Sequence, residues 1–134
     1  MFSLNRAERF GFFIMSDYKY DAFCEEVTDG DTCDCLIDLG FKTHRREKIR
    51  FYGIDTPESR TRDLEEKTKG LAVKLYVTEK IEGKRIQIET TKQGKFGRYL
   101  GIIYYQDGDK WVNLNKELVD KKMAKEYWGG KRIK

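Results

Sequence analysis

With the positions of an apolar core set aside, six side chains remain whose types could do chemistry. Asp29 and Asp31 lie in an Asp-Gly-Asp turn, Arg50 precedes a Phe-Tyr-Gly run, Asp55 and Glu58 frame Asp-Thr-Pro-Glu, and Arg98 follows a glycine. Carboxylates brought together repel one another unless a cation stands between them. Oxygen donors with no His or Cys beside them favour a hard ion, calcium or magnesium. The spacing does not match the continuous loop of a calcium-binding helix pair, so such a site must be assembled from separate turns. Two carboxylates and a backbone carbonyl leave positions for water and for a substrate oxygen. Phosphodiester hydrolysis needs an oriented or deprotonated water, neutralisation of charge on the phosphoryl oxygens, and help for the leaving alkoxide. Glu58, as a carboxylate outside the ligand set, suits the first task. Arg50 and Arg98 suit the second, because the guanidinium fork matches phosphate in two-point contact.

Each feature also has a plainer reading. Asp29 can cap its own turn, and Thr56-Pro57-Glu58 can begin a turn or a helix. Arg50 can pair structurally with Asp55, and Gly97-Arg98 can be a turn followed by a solvated strand start. The weight lies in their combination and order along the chain.

Composition sets the frame. The chain has 134 residues, 39% hydrophobic, 37% charged and 13% aromatic. That fits one domain with one core and excludes a disordered chain or one built of membrane-spanning helices. Residues 1–41 carry three cations against nine acids, a net of −6, while residues 42–134 carry 24 cations against 14 acids, a net of +10. A basic body beside an acidic cluster points to a polyanionic partner and to metal-assisted work on it. His44 is the single histidine, which excludes a His-based triad or His metal cluster, and it falls in the charged run 42–48, expected as a solvated hairpin tip. Cys24, Cys33 and Cys35 cannot all pair within the chain, so disulfides do not staple it. Cys33 and Cys35 continue with Ile37 and Leu39 as a period-2 apolar row and are expected as small core residues.

The elements follow from pattern. Tyr18–Val27 forms a strand with broken alternation, and Thr28-Asp29-Gly30-Asp31 a turn. Thr32–Phe41 is a strand with clean alternation, and Lys48–Ile54 a third strand bent at Gly53. A helical stripe of Leu64, Thr68, Leu71/Ala72 and Leu75 follows, with Gly70 a weak spot. Strands are expected at Lys84–Thr91 and Arg98–Gln106, a hairpin turn at Asp107-Gly108-Asp109, and a second helix capped by Asn115 with Leu118, Val119 and Met123 on its inner face. This order predicts a mainly β fold with helices: a five-stranded Greek-key barrel of the OB type with two or three helices. In a meander the start of the second strand lies beside the end of the third, so Asp31 and Asp55 should meet at one mouth, with Arg50 and Glu58 close by. Residues 1–16 carry no secretion signal and are expected as a disordered extension, leaving 17–134 as a single domain.

Taken together, Val27-Thr-Asp-Gly-Asp-Thr32, Ile49-Arg-Phe-Tyr-Gly-Ile-Asp-Thr-Pro-Glu58, Lys95-Phe-Gly-Arg98 and, more weakly, Leu114-Asn115 through Met123-Ala124-Lys125 resemble the staphylococcal nuclease (thermonuclease) family. The resemblance implies a five-stranded OB barrel and calcium-dependent hydrolysis of DNA and RNA, sugar-nonspecific, leaving 3′-phosphate ends. It implies Asp31, Asp55 and the Thr56 carbonyl as Ca2+ ligands, Glu58 as general base, and Arg50 and Arg98 on the phosphate. Asp29 would stand behind the ligands, and Lys95, Phe96 and Trp128 would face the nucleotide, single strands preferred. Phe96 replaces a tyrosine of the family pattern and loses its hydroxyl; Trp128 can keep base stacking near another. Lys122 replaces a glycine, and the stretch after Trp128 is shorter than that family's final helix. No membrane or obligate protein partner is implied. Without an export signal the default location is cytoplasmic, although members of that family are often secreted. The alternatives are a non-catalytic OB-fold nucleic-acid-binding module, as in Tudor-associated relatives, and a calcium-stabilised interaction domain.

Overall fold

The structure is a computed structural model and describes residues 18–93 and 99–127. Eight strands and two helices follow in order: β1 (Tyr18–Asp29), β2 (Thr32–Gly40), β3 (Thr43–Phe51), β4 (Ile54–Asp55), α1 (Leu64–Ile81), β5 (Arg85–Gln93), β6 (Tyr99–Asp107), β7 (Lys110–Asn113), α2 (Leu114–Asp120) and β8 (Lys125–Glu126). The main sheet runs β3-β2-β1-β5-β6-β7, and a further parallel pairing of β3 with β6 closes strands β1, β2, β3, β5 and β6 into a barrel. The fold is therefore mainly β with helices, a five-stranded barrel of the OB type. Where β6 meets β3, Gly101, partnered with Phe51, leaves room for core side chains: a Cβ there would stand 2.9 Å from the Ile88 methyl and 3.0 Å from that of Ile49.

Alternation fills the barrel. Cys33, Cys35 and Ile37 of β2, Ile49 and Phe51 of β3, Ile86 and Ile88 of β5, and Ile103 and Tyr105 of β6 point inward. The broken alternation of β1 has a physical cause. A register shift between Cys24 and Glu26 inserts an extra residue, so Ala22 and Cys24 face in on one side of it and Val27 on the other.

Four expectations change. The stripe on α1 faces the other way: Leu64, Leu71 and Leu75 are exposed, while Gly70, Val73, Val77 and Ile81 are buried. Both rows have helical spacing, and the β-branched row is the one that carries Gly70, whose missing Cβ allows close contact with the Glu58 backbone. The charged run 43–48 is strand rather than turn, because the hairpin turns at Phe41 and Lys42, both with positive φ, and His44 pairs with Asp38 along an exposed extension. Leu39 lies on that extension and is exposed, leaving the apolar row of β2 at Ile37. Finally, Asn113 rather than Asn115 caps α2, accepting from the Lys116 N–H at 2.9 Å. Asn115 is buried and bridges strands instead. Its Oδ1 accepts from the Ile103 N–H at 3.1 Å, and its Nδ2 donates to the Tyr52 and Gly101 carbonyls at 2.8 and 3.1 Å. Residues 1–16, expected outside the fold, lie outside the described residues.

After α2 the chain turns through Lys122, whose φ of 61° lies in the left-handed region that glycine occupies without strain. Lys122→Gly is therefore expected to raise stability by about 1 kcal/mol, the cost of a left-handed L-residue, as measured by urea unfolding; an unchanged or lowered midpoint would contradict this.

Candidate active site at the mouth of the barrel

The site grows from the register of β2 against β3. Thr32 pairs with Arg50, and the Phe51 N–H donates to the Asp31 carbonyl at 2.8 Å, so the turn before β2 sits beside the end of β3. Arg50 projects there between two carboxylates. Its Nη1 lies 2.6 Å from Asp31 Oδ2 and its Nη2 3.4 Å from Asp55 Oδ1, with all three side chains 17% exposed or less. The shorter contact lacks the direction of a hydrogen bond, so Nη1 is held by charge alone. Asp31 also accepts from the Thr56 N–H at 3.2 Å and from the Thr32 hydroxyl at 3.1 Å. Asp31, Asp55 and Arg50 thus converge, as the meander implied, and Thr56 joins them through its N–H.

The segment carrying Thr56 and Glu58 is set by two glycines. A Cβ on Gly30 would stand 2.9 Å from Thr56 Oγ1, and one on Gly70 only 2.4 Å from the Glu58 carbonyl oxygen. The turn and helix α1 therefore press against this segment from two sides, which no larger residue permits. Polar ties complete the fit. The Ser59 hydroxyl donates to Asp29 at 3.0 Å, the Glu58 N–H to Glu66 at 3.1 Å, and the Arg60 guanidinium to the Thr28 carbonyl at 3.2 Å. Asp29 also accepts from the Gly30 N–H at 3.0 Å, so it both caps its turn and anchors the loop behind the carboxylates. Glu58 itself is exposed, and its carboxylate has no hydrogen-bond partner among the described residues.

The donor chemistry of this corner fits a hard cation. The donors are oxygens only, and one guanidinium is shared by two carboxylates. Thr56 Oγ1 is buried with no protein hydrogen-bond partner, as is Arg50 Nη1. A cleft of about 570 Å³ opens beside Asp55 and Thr56; the acidic start of α1, Lys69 one turn further along that helix, and the wall formed by Lys122, Lys125 and Tyr127 line it. The small β4–β8 sheet pins that wall, with Asp55 paired to Lys125. Arg98, Lys95, Phe96 and Trp128 lie outside the described residues. The positioning roles of Ser59, Glu66 and Asn115 carry no signal in the sequence. Gly30 and Gly70 are visible there, but only the packing gives their reason.

Residues 48–132 match the model of the staphylococcal nuclease homologue family. An uncharacterized protein of Methanocaldococcus jannaschii is 26% identical over 135 aligned positions, covering 86% of this chain. The chain spans 63% of that relative's own length.

Gly70→Ala tests the packing that places the Glu58 segment. Forcing a methyl against backbone is expected to cost ~1–3 kcal/mol in denaturant unfolding and to shift the Glu58 and Ser59 amide resonances. Wild-type stability with unmoved amides would show that the close approach does not hold this segment.

Proposed function

The chain belongs to the staphylococcal nuclease family, and from that premise we propose that it hydrolyses phosphodiester bonds of DNA and RNA with the help of Ca2+, leaving 3′-phosphate ends. The observation that carries this reading is Arg50 shared between Asp31 and Asp55, with the Thr56 N–H bound to the same Asp31 carboxylate. A module that only binds nucleic acid gains nothing from carboxylates facing a phosphate backbone, because they repel it. Two of them sharing a guanidinium suit a site that turns substrate over.

The roles follow from chemistry. Asp31, Asp55 and the Thr56 carbonyl would hold the ion; bound there, it would supply Lewis-acid stabilisation of charge on the phosphoryl oxygens. Arg50 stands on the same corner and offers its fork to the phosphate. Its pairing with both carboxylates keeps that fork at the mouth while substrate is absent. Glu58 reaches solvent, so its carboxylate is available to take a proton from an attacking water. Arg98 is proposed as the second guanidinium on the phosphate, stabilising charge that grows in the transition state. Asp29 works at one remove, holding the loop through Ser59. Lys95 would attract the backbone electrostatically, while Phe96 and Trp128 would offer faces on which bases stack, which favours single strands.

Purified protein with single-stranded DNA is expected to degrade it in calcium and to stop in chelator. Glu58→Gln and Arg98→Ala should each lose ~10²–10⁴-fold in turnover with binding far less affected. Unaltered cutting by Glu58→Gln would remove the proposed base. Undiminished cutting in chelator would remove the ion, and binding without any turnover would make the chain a nucleic-acid-binding module.

A further inference from the structure

We propose that Cys24, Cys33 and Cys35 form a three-coordinate site inside the barrel for a soft, thiophilic monovalent ion of the Cu(I) type. These are all the cysteines of the chain, and the fold brings every one of them to a single point. Their sulfurs lie within 4.8 Å of one another, with Cys33 and Cys35 at 3.4 Å, and each residue is fully buried.

Two features of the sheet produce this. Cys33 and Cys35 are two apart on β2 and share its inner face. Cys24 sits directly across from Cys35 on β1. The backbone of Cys24 is turned the other way: its N–H donates to Lys84 at 3.0 Å and its carbonyl accepts from Gly83 at 2.8 Å. Toward β2, Cys24 and Cys35 are therefore a non-hydrogen-bonded pair, the kind whose side chains stand closest in an antiparallel ladder. The sequence showed only the pair on β2 and no partner for it; the third sulfur comes from the fold.

The chemistry selects the ion. Metal–thiolate bonds of about 2.3 Å place three sulfurs around one centre ~4 Å apart, a value between the 3.4 Å pair and the 4.8 Å limit of the cluster. Structural zinc takes four ligands, and among the described residues no His, Asp or Glu joins these three. Thiolates select soft ions such as Cu(I), which accept three sulfur donors. Such an ion would cross-link β1 to β2 a short way inside the mouth where Asp31 stands. Binding exchanges thiol protons for metal–sulfur bonds, with no change in oxidation state.

The full chain, reduced and kept anaerobic, should be titrated with Cu(I) against a chromogenic Cu(I) chelator. One equivalent should bind, with sulfur-to-copper charge-transfer absorption, three sulfur neighbours by X-ray absorption, and no displacement by Zn(II). Cys24→Ser, Cys33→Ser and Cys35→Ser should each weaken binding by at least ~10-fold, the scale set by losing even an outer partner of a metal ligand. Because a buried hydroxyl can itself unsettle the core, the triple alanine variant, checked for wild-type circular dichroism, provides a second test and should bind none. The proposal fails if reduced protein binds no tight equivalent, or if the folded triple variant retains it. It fails equally if two thiols disappear into a disulfide in air while the reduced protein ignores Cu(I); the cysteines would then be small core residues that oxidise.

Discussion

Two carboxylates held to one guanidinium organise the mouth of this barrel. Asp31 and Asp55 come from different turns and would repel each other at this separation; Arg50 compensates both. Among the described residues one positive charge faces two negative ones, and its Nη1 is held without a directed hydrogen bond. Removing one member of such a low-exposure group disturbs the compensation of charge where little water reaches, which is costly. A divalent cation would take over the carboxylates and leave the guanidinium to a phosphate.

Strand register, glycines that allow close packing and one buried amide position this corner. The register of β2 against β3 fixes where Asp31 and Arg50 stand, and closure through Gly101 fixes the end of β3. Asn115 contributes from beneath. Buried in α2, it satisfies the Tyr52 and Gly101 carbonyls and the Ile103 N–H, so the turn leading into Ile54 and Asp55 is tied to β6 and to the helix at once. Buried backbone groups left unpaired would be expensive there. Gly30 and Gly70 then let the turn and α1 close on Thr56 and Glu58. Thr56 and Glu58, the loop residues proposed for the chemistry, thus lie on a short segment clamped by the turn, by α1 and by Asp29.

This division explains what the sequence made legible. Period-2 alternation and glycine-rich turns exposed the barrel, and the meander rule brought Asp31, Arg50 and Asp55 together before any coordinates. Local pattern failed where tertiary packing chose between equals. On α1 two rows have helical spacing, and leucine content points to the wrong one; Val73, Val77 and Ile81 share the row of Gly70, which packs against the Glu58 backbone. Asn113 and Asn115 are both plausible caps by type, and only the buried carbonyls near Asn115 decide between them. Gly70 seemed a helix weakness because its neighbour, the Glu58 carbonyl, is twelve residues away in sequence. The place of Cys24 beside Cys33 and Cys35 is not legible in the sequence, because cross-strand pairing through a bulged strand leaves no periodic trace.

Strand β2 places two kinds of donor at different depths. Asp31, just before it, offers hard oxygen at the mouth, where water and phosphate can reach. Cys33 and Cys35, along its inner face, offer soft sulfur where water does not. Ligand softness and solvation both keep these sites apart. A calcium ion needs several oxygens and some of its waters, which the apolar interior cannot supply. A soft ion gains little from carboxylates and loses little by shedding its hydration. Two residues of strand, a rise of ~6–7 Å along its axis, are enough to separate the two environments. An ion held inside would therefore influence the mouth only mechanically, by fixing β1 against β2 beneath Asp31, and would not compete for its ligands.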